Sequence, residues 1–196
     1  MLHYQQVLEE SEQGNSELSI PERLLRLSRD DLYWEKEALF EDCEILQKAL
    51  LREICQRAKG SAYAKDYGME DINNLVSWRE KVPISTYDNY LPYINAEMNG
   101  SPHQLYAAET ELYVATTGST GKIKLFMESA AGNAAKLLVM AVRGMYMGTL
   151  LPVTRDMEAK NLTISNYLQL GDSPDGKPIM RASGQTARNL RKKTGT

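Results

Sequence analysis

The sequence has few cysteines and histidines, and this scarcity excludes several kinds of site. Of its 196 residues, two are cysteine and two are histidine. Cys43 and Cys55 fall in a stretch typical of one helix, and neither lies near a histidine, so their spacing matches no metal site. We expect two free thiols in a reducing compartment and predict a cytoplasmic protein.

Long apolar runs and a strong net charge are missing as well. The longest strongly apolar run, 137–142, is far shorter than the ~20 residues that cross a bilayer, and no secretory signal pattern is visible. A net charge of −3 argues against a general nucleic-acid binder. An apolar fraction of 42% and a charged fraction of 25% are typical of a soluble globular protein. We therefore expect neither a membrane nor nucleic acid as a partner.

The first part of the chain is predicted to be helical. Residues 1–20 are polar, and we expect a mobile N-terminal arm there, with a short helix before it as an open alternative. A short helix over 22–27 is expected next, with a proline at its first position. Apolar residues then recur at spacings of three and four, which predicts one long amphipathic helix that Asp30 or Asp31 caps and that ends at about Lys59.

Further helices precede a region of strands. They are predicted at 61–67, at 72–81, from Ser85 or Thr86 to about residue 98, and from 130 to about 147, with Gly148 as the stop. The last of these is strongly apolar, so we expect it to be buried on more than one side. A strand over 161–170, a turn at 172–176 and a returning strand over 177–180 follow. Helices early and strands later predict a mixed α/β fold.

The most informative stretch, 112–126, has the pattern of a strand, a small-residue loop and a second strand. Glycines let a backbone approach a ligand closely, and successive N–H groups form a concavity that binds anions. Hydroxyls donate hydrogen bonds and lysines supply charge. The stretch is thus a candidate cradle for a triphosphate. Its small residues are Thr116, Thr117, Gly118, Ser119, Thr120 and Gly121, and Lys122 and Lys124 follow.

Two common phosphate motifs do not fit this loop. A Walker A loop needs Gly where Thr116 stands, and Ser or Thr where Ile123 follows Lys122. No G-x-G-x-x-G pattern is present either. An ordinary hairpin turn rich in Gly, Ser and Thr remains the open alternative.

Sequence segments upstream of the loop indicate which protein family the chain resembles. Residues 82–87 read VPISTY, 91–94 read LPYI, and 50–68 form a helical lead-in. With the loop, in this order and spacing, they resemble the N-terminal part of the Gretchen Hagen auxin-responsive-promoter family, over roughly residues 45–130. That family consists of acyl acid-amido synthetases within the adenylate-forming, luciferase-like superfamily.

The resemblance implies a chemistry and a set of site residues. A carboxylic acid would react with ATP to give an acyl-adenylate and pyrophosphate, and an amine, often an amino acid, would then form the amide. Lys124 would take the place of the superfamily's loop lysine as the catalytic candidate, and Mg²⁺ would accompany the triphosphate. Lys122 is the weaker lysine candidate, facing either phosphate or solvent. The loop residues around the β- and γ-phosphates would be Thr116, Thr117, Gly118, Ser119, Thr120 and Gly121.

The chain departs from the family pattern in two respects. Ile123 stands where much of the superfamily has proline, and Thr117 where serine is usual. More seriously, the family's acceptor-binding region, ribose-binding acidic residue and mobile C-terminal domain would lie beyond Thr196. We therefore predict a partial N-terminal adenylate-forming domain over 21–184, a basic tail or truncation end over 185–196, and no complete reaction by 1–196 alone.

Two alternative functions stay open. One is a ligase that forms aryl- or acyl-coenzyme A thioesters. The other is a truncated, non-catalytic nucleotide-binding or interaction fragment that self-associates through exposed apolar surface.

Other conspicuous side chains are expected to be structural. His103 is predicted to lie at the surface, and Asp172 and Asp175 to flank a turn rather than bind a metal. The tyrosines expected in the core or at its rim are Tyr87, Tyr90, Tyr93 and Tyr113.

Overall fold

The computed structural model describes residues 3–13, 16–116, 123–150 and 169–182. Its α-helices are α1 (His3–Glu12), α2 (Ile20–Leu24), α3 (Arg29–Glu41), α4 (Cys43–Ala58), α5 (Ala62–Asp66), α6 (Leu75–Lys81), α7 (Tyr87–Met98) and α8 (Ala130–Leu150). Its strands are β1 (Leu112–Thr116), β2 (Lys124–Glu128), β3 (Gln169–Asp172) and β4 (Pro178–Arg181). Helices come first and strands later, so the predicted mixed α/β class is confirmed.

The chain divides into two compact units. Met1–Gln56, Asp71–Arg79 and Ala131–Asn161 form one, which we call the helical unit. Arg57–Glu70, Glu80–Ala130 and Leu162–Thr196 form the other, the sheet unit. The predicted boundaries at residues 20 and 184 stay predictions.

Helix α1 differs from the mobile arm expected over 1–20. Tyr4, Val7 and Leu8 are buried in a cluster with residues of α2 and α4. The carboxylate of Glu35 in α3 accepts hydrogen bonds from the backbone N–H groups of His3 (2.8 Å) and Tyr4 (2.9 Å). A carboxylate at this end satisfies otherwise unpaired donors and complements the helix dipole. Composition alone does not reveal such a distant cap.

The long helix predicted to end at Lys59 is two helices, so that prediction is wrong. Ser28, not Asp30 or Asp31, caps α3, since its hydroxyl accepts from the N–H of Asp31 at 3.0 Å. Asp42 then ends α3, with φ −89° and ψ 22°. Its carboxylate accepts a hydrogen bond from the Tyr4 hydroxyl, a tertiary contact that periodicity does not show.

Several local predictions are confirmed. Gly60 follows α4 with φ +88°, a conformation that favours glycine. The helix predicted over 61–67 is α5, which Ser61 caps through the N–H of Ala64 at 3.1 Å. Both cysteines are free thiols, as expected.

Helix α8 begins where predicted, but it passes Gly148 and is not buried on more than one side. Among its described side chains Ala134 is buried, whereas Val139 is 67% exposed and Met147 is 46% exposed. Apolar composition therefore overestimated its burial. Among the described residues, no helix is long and apolar enough to cross a membrane.

The described strands form one sheet in the order β2-β1-β4-β3. Strand β1 pairs antiparallel with β2 and parallel with β4, and β3 pairs antiparallel with β4. Leu112, Val114 and Met180 form a buried apolar cluster on β1 and β4. The predicted turn before β4 is confirmed and contains Gly176 at φ +80°. Of the predicted strand 161–170, residues 161–168 lie outside the described residues.

Asp175 in this turn holds the β3–β4 hairpin against β1. Its carboxylate accepts from the hydroxyls of Tyr113 (3.1 Å) and Ser173, and it pairs with the ammonium of Lys177 at 2.8 Å. Burial would raise the pKa of Asp175, but the hydrogen bonds from Lys177, Ser173 and Tyr113 outweigh burial and lower it. The structural role predicted for this aspartate fits these contacts.

The lowered pKa of Asp175 makes an acid-dependent loss of stability an expected result. A carboxyl whose pKa is lower in the folded state stabilises above its unfolded pKa of about 3.9, and this contribution disappears as pH falls through the folded value. Asp175→Asn is therefore expected to reduce the free energy of unfolding near neutral pH and to shrink the further loss on acidification. Thermal unfolding followed by circular dichroism at a series of pH values measures both effects.

The matched control is Asp172→Asn, which makes the same change at an exposed residue that bonds only locally to Gln169 in the described contacts. An unchanged acid slope in Asp175→Asn would contradict the assignment.

Candidate functional site

The strands around the candidate loop bring its two ends together. Strand β1 ends at Thr116, β2 begins at Lys124, and these two residues are direct partners in the antiparallel register. Side chains of such partners lie on one face of a sheet, with their Cβ atoms about 5 Å apart. The predicted strands on both sides of the loop are thus confirmed, and Thr116 and Lys124 stand side by side where the two strands adjoin the loop segment.

The loop itself, 117–122, lies outside the described residues. Of the site residues predicted from the sequence, the structure describes Thr116 and Lys124 and brings them together. The roles of the others stay predictions; these are Thr117, Gly118, Ser119, Thr120, Gly121 and Lys122.

Strand β1 gives the loop a firm base. Leu112, Tyr113, Val114 and Ala115 are all buried, and β1 has strands on both sides, β2 and β4. Because β1 and β4 are parallel, their carboxyl ends meet at the same edge of the sheet. Ligands of α/β folds characteristically bind at that edge, which is where β1 leads into the loop.

Tyr87, the first residue of α7, is joined to β2 by two hydrogen bonds. Its hydroxyl donates to the carbonyl oxygen of Leu125 at 3.1 Å and accepts from the N–H of the same residue at 3.0 Å. Within the described sheet β2 is an edge strand, so Tyr87 satisfies backbone groups that an edge leaves open. The ring also packs on Phe126, with centroids 5.5 Å apart.

The ammonium of Lys124 lies over the ring of Tyr87. Its Nζ is 5.2 Å from the ring centroid, within the range of a cation–π interaction. The side chain is half-buried, so its charge is only partly in solvent. From the sequence, Tyr87 was expected only in the core or at its rim. The VPISTY segment contains it, but no sequence signal linked it to Lys124.

A buried carboxylate anchors the other half of α7. Glu97 is 3% exposed. Its carboxylate accepts from the N–H of Gln104 at 2.9 Å and from the hydroxyl of Thr110 at 3.0 Å. Tyr106 lies 3.2 Å from the Thr110 oxygen, and burial raises the pKa of Tyr106 to about 12, so its hydroxyl stays protonated near neutral pH. This network fixes α7 against the segment that leads into β1.

The family model described as the GH3 family N-terminal domain matches residues 35–195. The chain belongs to the GH3 family. The match covers most of the sequence and includes the hairpin, its loop and α7. It confirms the resemblance that the loop and its upstream segments indicated.

Curated GH3 relatives are similar to part of the chain. Indole-3-acetic acid-amido synthetase GH3.17 of Arabidopsis thaliana is 31% identical over 97 residues, which are 48% of this chain and 16% of the relative. Indole-3-acetic acid-amido synthetase GH3.3 of the same plant is 28% identical over 91 residues, 45% of this chain and 15% of the relative. The chain thus aligns with about one sixth of these relatives' length.

A solved GH3 structure shows the same fold. The structure of AtGH3.15 acyl acid amido synthetase in complex with 2,4-DB matches this chain with a TM-score of 0.68 and 16% sequence identity. The match covers 85% of this chain and 29% of the AtGH3.15 chain. The predicted fold, part of the N-terminal domain of this family, is therefore confirmed.

Tyrosines beside the site in this GH3 chain pack on one another. The ring of Tyr63 lies 5.7 Å from that of Tyr90 and 5.4 Å from that of Tyr93. The Tyr93 hydroxyl donates to Asp66 at 2.5 Å, and burial together with this carboxylate raises its pKa to about 12. The packing agrees with the structural role expected for Tyr90 and Tyr93. His103 is exposed, as predicted.

Among the residues that the structure describes, no group of three or more His, Cys, Asp or Glu side chains is arranged to hold a metal ion.

Proposed function

We propose that this GH3 chain is the ATP-binding part of a ligase that activates a carboxylic acid and transfers the acyl group to an amine. The observation that carries the proposal is the register of the hairpin, which sets Thr116 opposite Lys124 at the mouth of a loop of small residues. The names of the relatives, acid-amido synthetases, support the same class of reaction.

The residues at the hairpin suit the charge that such a reaction develops. When the acid's carboxylate attacks the α-phosphorus, the bond to the departing pyrophosphate breaks and negative charge grows on its oxygens. The ammonium of Lys124, the hydroxyl of Thr116 and the N–H groups and hydroxyls of 117–121 would stabilise that charge. Groups that are already in place contribute most, because nothing has to reorganise as the charge forms.

We expect Mg²⁺ to accompany the bound nucleotide. In nucleotide sites Mg²⁺ usually keeps several waters and binds through substrate phosphates with one or two carboxylates. It would neutralise part of the triphosphate's charge, while Thr116 and Lys124 orient the phosphate oxygens.

Calorimetric titration of the chain with MgATP tests the proposal. Saturable binding of one nucleotide per chain, displaced by pyrophosphate, is the expected result. Absence of binding up to millimolar MgATP, with the chain shown to be folded by circular dichroism, would refute it.

The reaction itself separates amide from thioester formation. With MgATP and a panel of carboxylic acids, products with free amino acids would support the amido-ligase assignment. Products with coenzyme A alone would support the thioester-forming alternative instead.

The exposed apolar side chains of α8 favour a second candidate, an interaction fragment that self-associates. Val139 and Met140 are 67% and 45% exposed, and apolar surface of this kind usually marks a contact. Light scattering over a range of concentrations tests it. A concentration-dependent increase in mass is expected under this candidate, and a monomer throughout would exclude it.

A further inference from the structure

Tyr87 makes two kinds of contact with β2 that serve different purposes. Its hydroxyl bonds both backbone groups of Leu125, and its ring lies beneath the ammonium of Lys124. The hydroxyl contacts fix where the ring is, because one oxygen bonded to an N–H and a C=O of one residue leaves the ring little freedom. The ring in turn limits where the ammonium goes.

The restraint matters for ligand binding because of where Lys124 lies in the hairpin. Lys124 is the first residue of β2 and is separated from the loop segment by Ile123 alone, whereas Thr116 ends β1 directly before that segment. A free lysine side chain loses rotamer entropy when it is fixed. A ring that restrains the ammonium before a phosphate arrives removes part of that cost from binding.

We propose that Tyr87 is a positioning residue, whose ring holds the ammonium of Lys124 at the start of β2 for an incoming phosphate. The inference rests on the proposed function, because it assigns how the lysine of that site is held. The role proposed for Tyr87 is limited to positioning Lys124. Tyr87 contacts the lysine and the backbone of β2.

The signature of the positioning is a ring-current shift. Protons held over an aromatic face resonate upfield, so the ε-methylene protons of Lys124 are expected to be shifted upfield in the unliganded chain. The signal is assigned by its absence from Lys124→Met. The shift should persist in Tyr87→Phe, which keeps the ring, and vanish in Tyr87→Leu, which removes it.

The two Tyr87 variants are also expected to differ in MgATP affinity, with Tyr87→Leu having the larger effect. Tyr87→Phe loses the two hydrogen bonds but keeps the ring, and it is expected to weaken MgATP binding about 2- to 3-fold. Tyr87→Leu loses both contacts and is expected to weaken binding about 3- to 10-fold. In the background of Lys124→Met, Tyr87→Leu should have no further effect, because the group that it positions is absent.

Tyr90→Leu is the matched control. Tyr90 lies one turn further along α7 and stacks on Tyr63 instead. Its removal is expected to lower the melting temperature without changing the Lys124 shift or MgATP affinity. Equal losses of affinity in Tyr90→Leu and Tyr87→Leu would show that α7 stability alone is at work and would overturn the inference.

The two proposals fail separately. If the wild-type chain binds no MgATP while the ring-current shift is present, the proposed function is wrong and the restraint on Lys124 serves something else. If MgATP binds but the shift is missing, or if the effects of Tyr87→Leu and Lys124→Met simply add, the positioning role is wrong and the proposed function stands.

Discussion

Lys124→Met is expected to weaken MgATP binding by about 10- to 100-fold, the effect of losing a charge-assisted hydrogen bond worth about 1.5–3 kcal/mol. Methionine keeps much of the length and apolar stem of lysine, so packing against Tyr87 is largely retained and the charge is what changes. Calorimetry on the wild type and the variant measures the ratio of dissociation constants. Circular dichroism shows that both are folded.

The control for the charge is Lys48→Met. Lys48 is an exposed residue of α4 that pairs with Glu44 at 2.7 Å, so this variant has the same net charge as Lys124→Met. It is expected to bind MgATP as the wild type does. Equal affinity in Lys124→Met and Lys48→Met would remove Lys124 from the site.

Glu97→Ala is expected to lower the free energy of unfolding by about 3 kcal/mol, since it leaves buried donors without their acceptor. The N–H of Gln104 and the hydroxyl of Thr110 both donate to this carboxylate. Urea unfolding followed by far-ultraviolet circular dichroism measures the loss. Because Glu97 anchors α7, which also carries Tyr87, MgATP affinity should fall as well.

Glu97→Gln separates the hydrogen bonds from the volume of the side chain. The glutamine side chain keeps the shape and one acceptor oxygen, and the Thr110 hydroxyl can rotate to accept from the NH₂ of the new amide. We expect less than half of the loss seen with alanine. A loss in Glu97→Ala below about 0.5 kcal/mol, the size of a typical surface effect, would contradict the anchoring role.

Local signals in the sequence predicted much of the fold. Gly60, Ser61 and Gly176 act within a few residues of themselves, through backbone conformation or a cap, and the structure has each turn where it was expected. The hairpin at 112–126 was predictable for a related reason. Strand-forming residues on both sides of a short run of small residues favour two strands joined by a loop.

Tertiary contacts account for the places where the structure differs from the sequence-based predictions. Glu35 caps α1 from 31 residues away, and the Tyr4 hydroxyl binds Asp42, where α3 ends. Neither pairing has a periodic or local sequence signal. Burial of α8 was misjudged because apolar composition reports what a helix is able to bury, whereas exposure depends on what packs against it.

In the candidate site, too, some features were predictable from the local sequence and others depend on tertiary contacts. Loop composition placed Thr116 and Lys124 among the candidate anion-binding residues, and their register places them together. Tyr87 lies 37 positions before Lys124 in the sequence, and only the packing of α7 on β2 brings them into contact. Family resemblance marked the segment that contains Tyr87 without assigning the residue a part.

Hydrogen–deuterium exchange with and without saturating MgATP tests the central claim most directly, because it asks whether the loop between β1 and β2 is where the nucleotide binds. The account predicts slower exchange in peptides that span 112–126 and little change in peptides from α1 to α3. Binding of MgATP with unchanged exchange across 112–126, or with protection confined to another part of the chain, would contradict it.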